Sequence, residues 1–139
     1  MFQEASGVAP QPAVAVNPIQ RVLVVDSDPQ LRQLLVATLT HAGYKVAGAE
    51  NGRLALLEMA RRPVDLIVTE MVMKEMDGLA LIEKLRETAP EVRVIAMSGA
   101  SNQRLLAVAD AIGAAATLVK PFNRDALTAA LARCHGETP

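Results

Sequence analysis

Two hydrophobic rhythms alternate along most of the chain. Short β-branched or apolar runs stand at Arg21–Val25, Lys45–Ala49, Leu66–Thr69, Arg93–Met97 and Thr117–Val119. Between them, apolar residues recur at helical spacing. The stripes are Leu31, Leu34, Leu35 and Leu39; Leu54 and Leu57; Leu79, Ile82 and Leu85; Leu105, Val108, Ala109 and Ile112; and Leu127, Ala130, Leu131 and Cys134. Start signals agree with this parsing. Asp28 followed by Pro29 reads as an N-cap with proline at the first helical position, and Asn51, Asp77, Ser101 and Asn123 precede the later helices. Gly43 and Gly113 follow the first and fourth stripes as stops. The pattern predicts (βα)5.

Strands separated by helices pair in parallel, because each helix is the crossover that parallel strands require. Val22–Val25 and Leu66–Val68 are continuously apolar, as strands covered on both faces should be. An open, doubly wound sheet follows, since a closed barrel of this kind needs about eight such units. Met1 to Gln20 carries Pro10, Pro12 and Pro18 without periodicity and is expected to be a flexible tail. The folded domain is expected over residues 21–135, with a short C-terminal tail at 136–139.

Composition narrows the class. At 51% hydrophobic and 21% charged residues, the chain can bury a core and is not a disordered solvating segment. A net charge of −1, with Arg61-Arg62 as the densest basic spot, argues against broad nucleic-acid binding. No Trp and two Phe leave no platform for stacking bases. Cys134 is the only cysteine and is expected to be a buried structural thiol. The N-terminus lacks the form of a signal peptide, and no apolar run approaches a membrane span, so a cytoplasmic protein is expected.

In a doubly wound sheet, sites form beyond the carboxyl ends of the strands. At those ends the sequence places Asp26 (with Ser27 and Asp28), Glu70, Ser98 and Lys120. Two carboxylates held close together repel unless a divalent cation or an ammonium neutralises them. Lys120 can do so, hard oxygens suit Mg²⁺, and Ser98 can donate to a bound anion. Such a set serves phosphoryl transfer to a carboxylate.

The stretches VLVVDSDP, DLIVTEMVMKEMDG, VIAMSGA and LVKPF resemble the receiver domains of two-component response regulators over about Arg21 to Arg133. The resemblance implies the flavodoxin-like strand order 2-1-3-4-5, the order of the family's chemotaxis member. It implies that Asp26 is the first acid of the family's acidic pair, Ser98 its switch hydroxyl and Lys120 its lysine, before Pro121-Phe122. It also implies a cis Lys120–Pro121 bond. A histidine kinase or a downstream signalling protein is the implied partner, met through the face of the fourth helix, fifth strand and fifth helix.

The chain departs from the family where the chemistry is done. Glu70 stands at the phosphoacceptor aspartate, and Ser27 at the second, metal-binding acid. Lys74-Glu75 replaces the usual Pro-Gly, and Thr117 the switch aromatic. Glu70 is therefore expected not to accept phosphate, because its longer arm displaces the carboxylate from in-line geometry. Its charge is then an imitation of the active state, or the basis of a locked state, with residual chemistry as the third reading. Any Mg²⁺ site would be weak and built from Asp26, Glu70 and the Val72 carbonyl. The rival class is a Mg²⁺-dependent receiver still phosphorylated from a histidine kinase. A flavin-binding domain of the same architecture is disfavoured because SDPQLR is no phosphate loop. Met71, Met73 and Met76 are read as packing residues, Asp28 as a helix cap, and His41 and His135 as isolated surface residues.

Overall fold

The computed structural model describes residues 18–136. Strands β1 (Arg21–Val25), β2 (Lys45–Ala49), β3 (Leu66–Glu70), β4 (Arg93–Gly99) and β5 (Ala116–Lys120) alternate with helices α1 (Pro29–His41), α2 (Gly52–Arg61), α3 (Gly78–Thr88), α4 (Gln103–Ala111) and α5 (Arg124–Cys134). All strand pairs are parallel, in the order β2-β1-β3-β4-β5. This is the flavodoxin-like order 2-1-3-4-5. The reversal at β1 and β3 places Asp26 and Glu70 side by side at the carboxyl edge.

Alternate residues of each strand enter two different cores. Leu23, Val25, Ile67 and Ala96 pack with Ala55, Leu81, Ile82, Leu85, Leu106 and Ala109 from α2, α3 and α4. Val22, Val24, Leu66, Val68, Ile95 and Met97 pack with Leu35, Leu39, Leu127, Ala130 and Cys134 from α1 and α5. Each fully buried Leu or Ile contributes about 1.5–3 kcal/mol of transfer free energy, so these two layers carry the fold. Burial also pushes the Cys134 thiol up to about 11, which suits an unreactive core residue.

Four helices start where the sequence predicts. The side chains of Asp28, Asn51, Asp77 and Asn123 accept from the N–H groups of Gln30, Leu54, Ala80 and Ala126, each worth about 1 kcal/mol. Ser101 does not act as a cap. β4 runs on to Gly99, a 3-10 turn takes up Ala100–Asn102, and α4 begins at Gln103 without a side-chain cap. The stripes also shift. Leu34, Leu57 and Val108 are exposed, whereas Ala55 and Leu106 are buried. Adjacent helix positions lie about 100° apart, so Leu35 and Leu34 cannot both face the sheet. In α2 the small Gly52 and Ala55 form the buried line.

The expected N-terminal tail reaches less far than residue 20. Ile19 is buried in the α1–α5 core, and the N–H groups of Gln20 and Arg21 donate to Asp65 Oδ2, both at 2.9 Å. Residues 1–17 and 137–139, which hold the rest of both expected tails, lie outside the described residues. His135 is not isolated. Its Nε2 lies 2.9 Å from the Tyr44 hydroxyl, and the rings stack with centroids 6.2 Å apart. That contact links the end of α5 to the loop before β2, 91 residues away in sequence, a pairing that local spacing cannot reveal.

Candidate functional site

Asp26 follows the last residue of β1, and Glu70 and Lys120 close β3 and β5. Parallel pairing sets these strand ends in one row. The Lys120 ammonium bridges the two acids, 2.7 Å from Asp26 Oδ2 and 2.8 Å from Glu70 Oε1. Asp26 is fully buried, and only 19% of the Lys120 side chain and 17% of the Glu70 side chain are exposed. The second oxygen of each acid is also taken. Asp26 Oδ1 accepts from the Asp28 N–H at 2.9 Å. Glu70 Oε2 accepts from the Ser27 hydroxyl at 3.0 Å and from the Ser27 N–H at 3.3 Å. Arg32 adds a bond from Nη1 to the Asp26 carbonyl at 2.7 Å, fixing the turn that leaves β1.

The electrostatics follow from this wiring. Burial is the largest influence on Asp26 and raises its pKa; Lys120 and the Asp28 N–H oppose it, and the nearby Glu70 charge adds to it. Burial also acts against the Glu70 carboxylate. Here the Lys120 hydrogen bond and charge, together with the two Ser27 bonds, outweigh it and hold the pKa below the ordinary value. Burial opposes the Lys120 charge as well, but the two carboxylates outweigh it and raise the lysine's pKa. Two negative charges and one positive leave the cluster with a net −1.

Ser98 is buried at the end of β4, yet it makes no bond to Glu70. Its hydroxyl donates to the Asn102 carbonyl at 3.3 Å, across the 3-10 turn that leads to α4. That is long for an O–H···O bond. The structure thus brings Asp26, Glu70, Lys120 and Ser27 into one network and leaves Ser98 beside it. Sequence reasoning placed Ser27 only as a missing acid. Its proximity to Glu70 was readable, because both follow adjacent parallel strands, but a donated hydrogen bond depends on the side-chain arrangement.

The loop after β3 adopts an unusual backbone. Glu75 and Met76 have φ of +39° and +66°, a left-handed region that β-carbons disfavour. A Cβ at Gly78 would collide with the Glu70 carbonyl oxygen and the Met71 backbone, so the turn into α3 needs glycine there. Met71 is buried and Met73 and Met76 are half-buried, in keeping with packing, while Val72 is 51% exposed. Glu75 pairs with Arg53 at 3.0 Å, but both side chains are more than half exposed and the pair adds little. Glu75→Gly is therefore expected to raise stability by about 0.5–1 kcal/mol. An unchanged or lower urea midpoint would show that the backbone is not strained.

A parallel 2-1-3-4-5 sheet with an acid pair, a lysine and a hydroxyl on its carboxyl edge defines a receiver-type α/β domain. Known proteins agree: residues 22–132 match the response regulator receiver domain, and the chain belongs to that family. It is 33% identical to the receiver protein CpdR of Brucella abortus, over 76% of this chain and 88% of that protein. It is 34% identical to the chemotaxis protein CheY of Thermotoga maritima, over 81% of this chain and 94% of that one. With the transcriptional regulator GlrR of Escherichia coli it shares 36% identity, but there it spans only 25% of the relative's length. Among solved structures, CheY4 of Vibrio cholerae superposes with a TM-score of 0.75 at 29% identity, covering 84% of this chain and 99% of that one. The chain is thus a receiver domain of two-component signalling, a class that meets histidine kinases and downstream effectors. None of its described helices is long and apolar enough to cross a membrane.

Receiver domains typically hold Mg²⁺ at this edge, an ion that demands near-octahedral oxygen ligation. Here all four carboxylate oxygens already accept hydrogen bonds, and an ammonium sits between the two acids. Ser27 offers this edge a hydroxyl whose proton goes to Glu70 Oε2, not an anionic ligand. Two carboxylates, Asp26 and Glu70, face this position, and a cation would compete there with the Lys120 ammonium. No three His, Cys, Asp or Glu groups among the described residues converge on a metal position.

Proposed function

We propose that this chain is a pseudo-receiver: a signalling module that works through protein contacts and is not phosphorylated at Glu70. The observation that supports this reading most directly is the Lys120 bridge. Lys120 neutralises Glu70 and Asp26 at 2.8 and 2.7 Å, so an incoming phosphoryl group would have to draw it from two acids at once. With Oε2 held by Ser27 and Oε1 by Lys120, both Glu70 oxygens are engaged in hydrogen bonds that lower their nucleophilicity. The longer glutamate arm adds misplacement, and ~1 Å of error costs ~100-fold in rate. Ser98 and Lys120 are residues of the former phosphotransfer site. Asp26, Glu70 and the Val72 carbonyl would make at most a weak Mg²⁺ site, and only if Ser27 and Lys120 yielded oxygens.

The output surface is the α4–β5–α5 face of the domain at residues 21–135, and the partner is a cytoplasmic histidine kinase or downstream signalling protein. Thr117 is exposed on this face and helps line a furrow of about 570 Å³ with Ala107, Ala126 and Ala129. A threonine cannot reproduce an aromatic ring turning inward, so this face does not switch by that motion. Incubation with acetyl phosphate and Mg²⁺, followed by intact-mass measurement, tests the reading. The mass is expected to stay unchanged. A stable gain of one phosphoryl group on Glu70 would establish instead a Mg²⁺-dependent phosphoacceptor receiver.

A further inference from the structure

Glu70 and Ser27 are joined directly: the Ser27 hydroxyl and N–H both donate to Glu70 Oε2, at 3.0 and 3.3 Å. An acid at position 27 could not make the first bond, because an ionised carboxylate has no proton to give and would repel Glu70. The two departures from the family are thus chemically matched. A serine at 27 would leave an ordinary metal site one ligand short. Opposite a glutamate it supplies the donor that the longer arm can reach.

The direction of this contact also matters. Ser27 lies on the loop after β1, and Lys120 ends β5. Ser27 holds Glu70 Oε2 from the β1 side, while Lys120 reaches in from β5 and ties Oε1 to Asp26 Oδ2 through its ammonium. Ser98 ends on the other side, and its single proton goes to the Asn102 carbonyl.

We propose that Ser27 is a positioning residue: with Lys120 it clasps Glu70 and keeps this permanent charge away from Ser98, so that the turn from β4 into α4 stays in its unswitched form. The inference deepens, and rests on, the reading that Glu70 is no phosphoryl acceptor. The module is then held in one resting state by hydrogen bonds in place of a metal ion. Its negative charge does not imitate the activating group, because it does not reach the hydroxyl that would sense it.

The test is a double-mutant cycle of Ser27→Ala and Glu70→Gln in urea, without divalent cation or phosphodonor, combined with amide NMR of Ser98–Asn102. A charge-assisted hydrogen bond predicts that Ser27→Ala lowers the folding equilibrium constant about five- to tenfold more with Glu70 than with Gln at that position. Ser27→Ala should also shift the amides of residues 98–102, and Ser27→Thr, which keeps the hydroxyl, should leave them in place. Additive effects, or 98–102 amides untouched by Ser27→Ala, overturn the clasp. A global packing defect would not be rescued by threonine or suppressed by Glu70→Gln. Because no phosphodonor is present, this outcome is separate from the mass measurement: a phosphorylated Glu70 would sink the pseudo-receiver reading even if the cycle showed coupling.

Discussion

Replacing Lys120 with methionine is expected to cost about 3 kcal/mol of stability at neutral pH, the scale seen when one partner of a buried charge network is removed. The methionine retains most of the apolar stem, so the loss reports the charge rather than the packing. Asp26 is fully buried and Glu70 largely so, and without the ammonium two neighbouring carboxylates face each other uncompensated. The pH dependence has a definite sign. Without Lys120, burial and mutual repulsion raise the folded-state pKa values of both acids above their unfolded values. Their destabilisation is then full at neutral pH and shrinks as the pH falls through those raised values. Urea unfolding of both proteins between acid and neutral pH checks this: the gap should narrow toward acid. A gap that stays constant with pH would mean that Lys120 matters for packing and not for the acids.

The largest functional effect is expected from joining Glu70→Asp with Ser27→Asp. The shorter arm withdraws the carboxylate from Lys120, and the second acid supplies the oxygen that the Mg²⁺ site lacks. Phosphorylation by acetyl phosphate should rise by at least ~100-fold and depend on Mg²⁺, since ~1 Å of alignment error carries a cost of that order. Intact mass with and without chelator reads both parts. Neither single change should suffice. Glu70→Asp alone still meets Ser27 without a second acid, and Ser27→Asp alone brings a third carboxylate beside the two already sharing one lysine. If the double variant takes no phosphate, the Lys74-Glu75 loop, where Glu75 and Met76 hold positive φ, or another feature of the site also blocks the chemistry.

Much of the fold was legible because its signals are local. β1 and β2 lie where the β-branched runs begin and end. Asp28, Asn51, Asp77 and Asn123 cap because a short polar side chain reaches its own helix N-terminus whatever lies around it. The misread positions depended on neighbours. Leu34 and Leu57 fit a helical stripe by spacing, yet which arc of a helix meets the sheet is set by packing against β1, β2 and the adjoining helices. Ser101 looked like a cap, but β4 continues to Gly99 and the 3-10 turn displaces the helix start.

The same division runs through the site. That Asp26, Glu70, Ser98 and Lys120 occupy the carboxyl edge was already written in the residue order, because each directly follows a strand-forming run, after Val25, Thr69, Met97 and Val119. The resemblance to receiver domains further implied that Glu70 and Ser27 stand at the acceptor and at one metal ligand. How the exchanged residues are wired emerges only in three dimensions. Hydrogen bonding acts over about 3 Å between groups that are 43 to 94 residues apart here. Strand order and side-chain placement alone bring Ser27 onto Glu70 and Lys120 between the two acids.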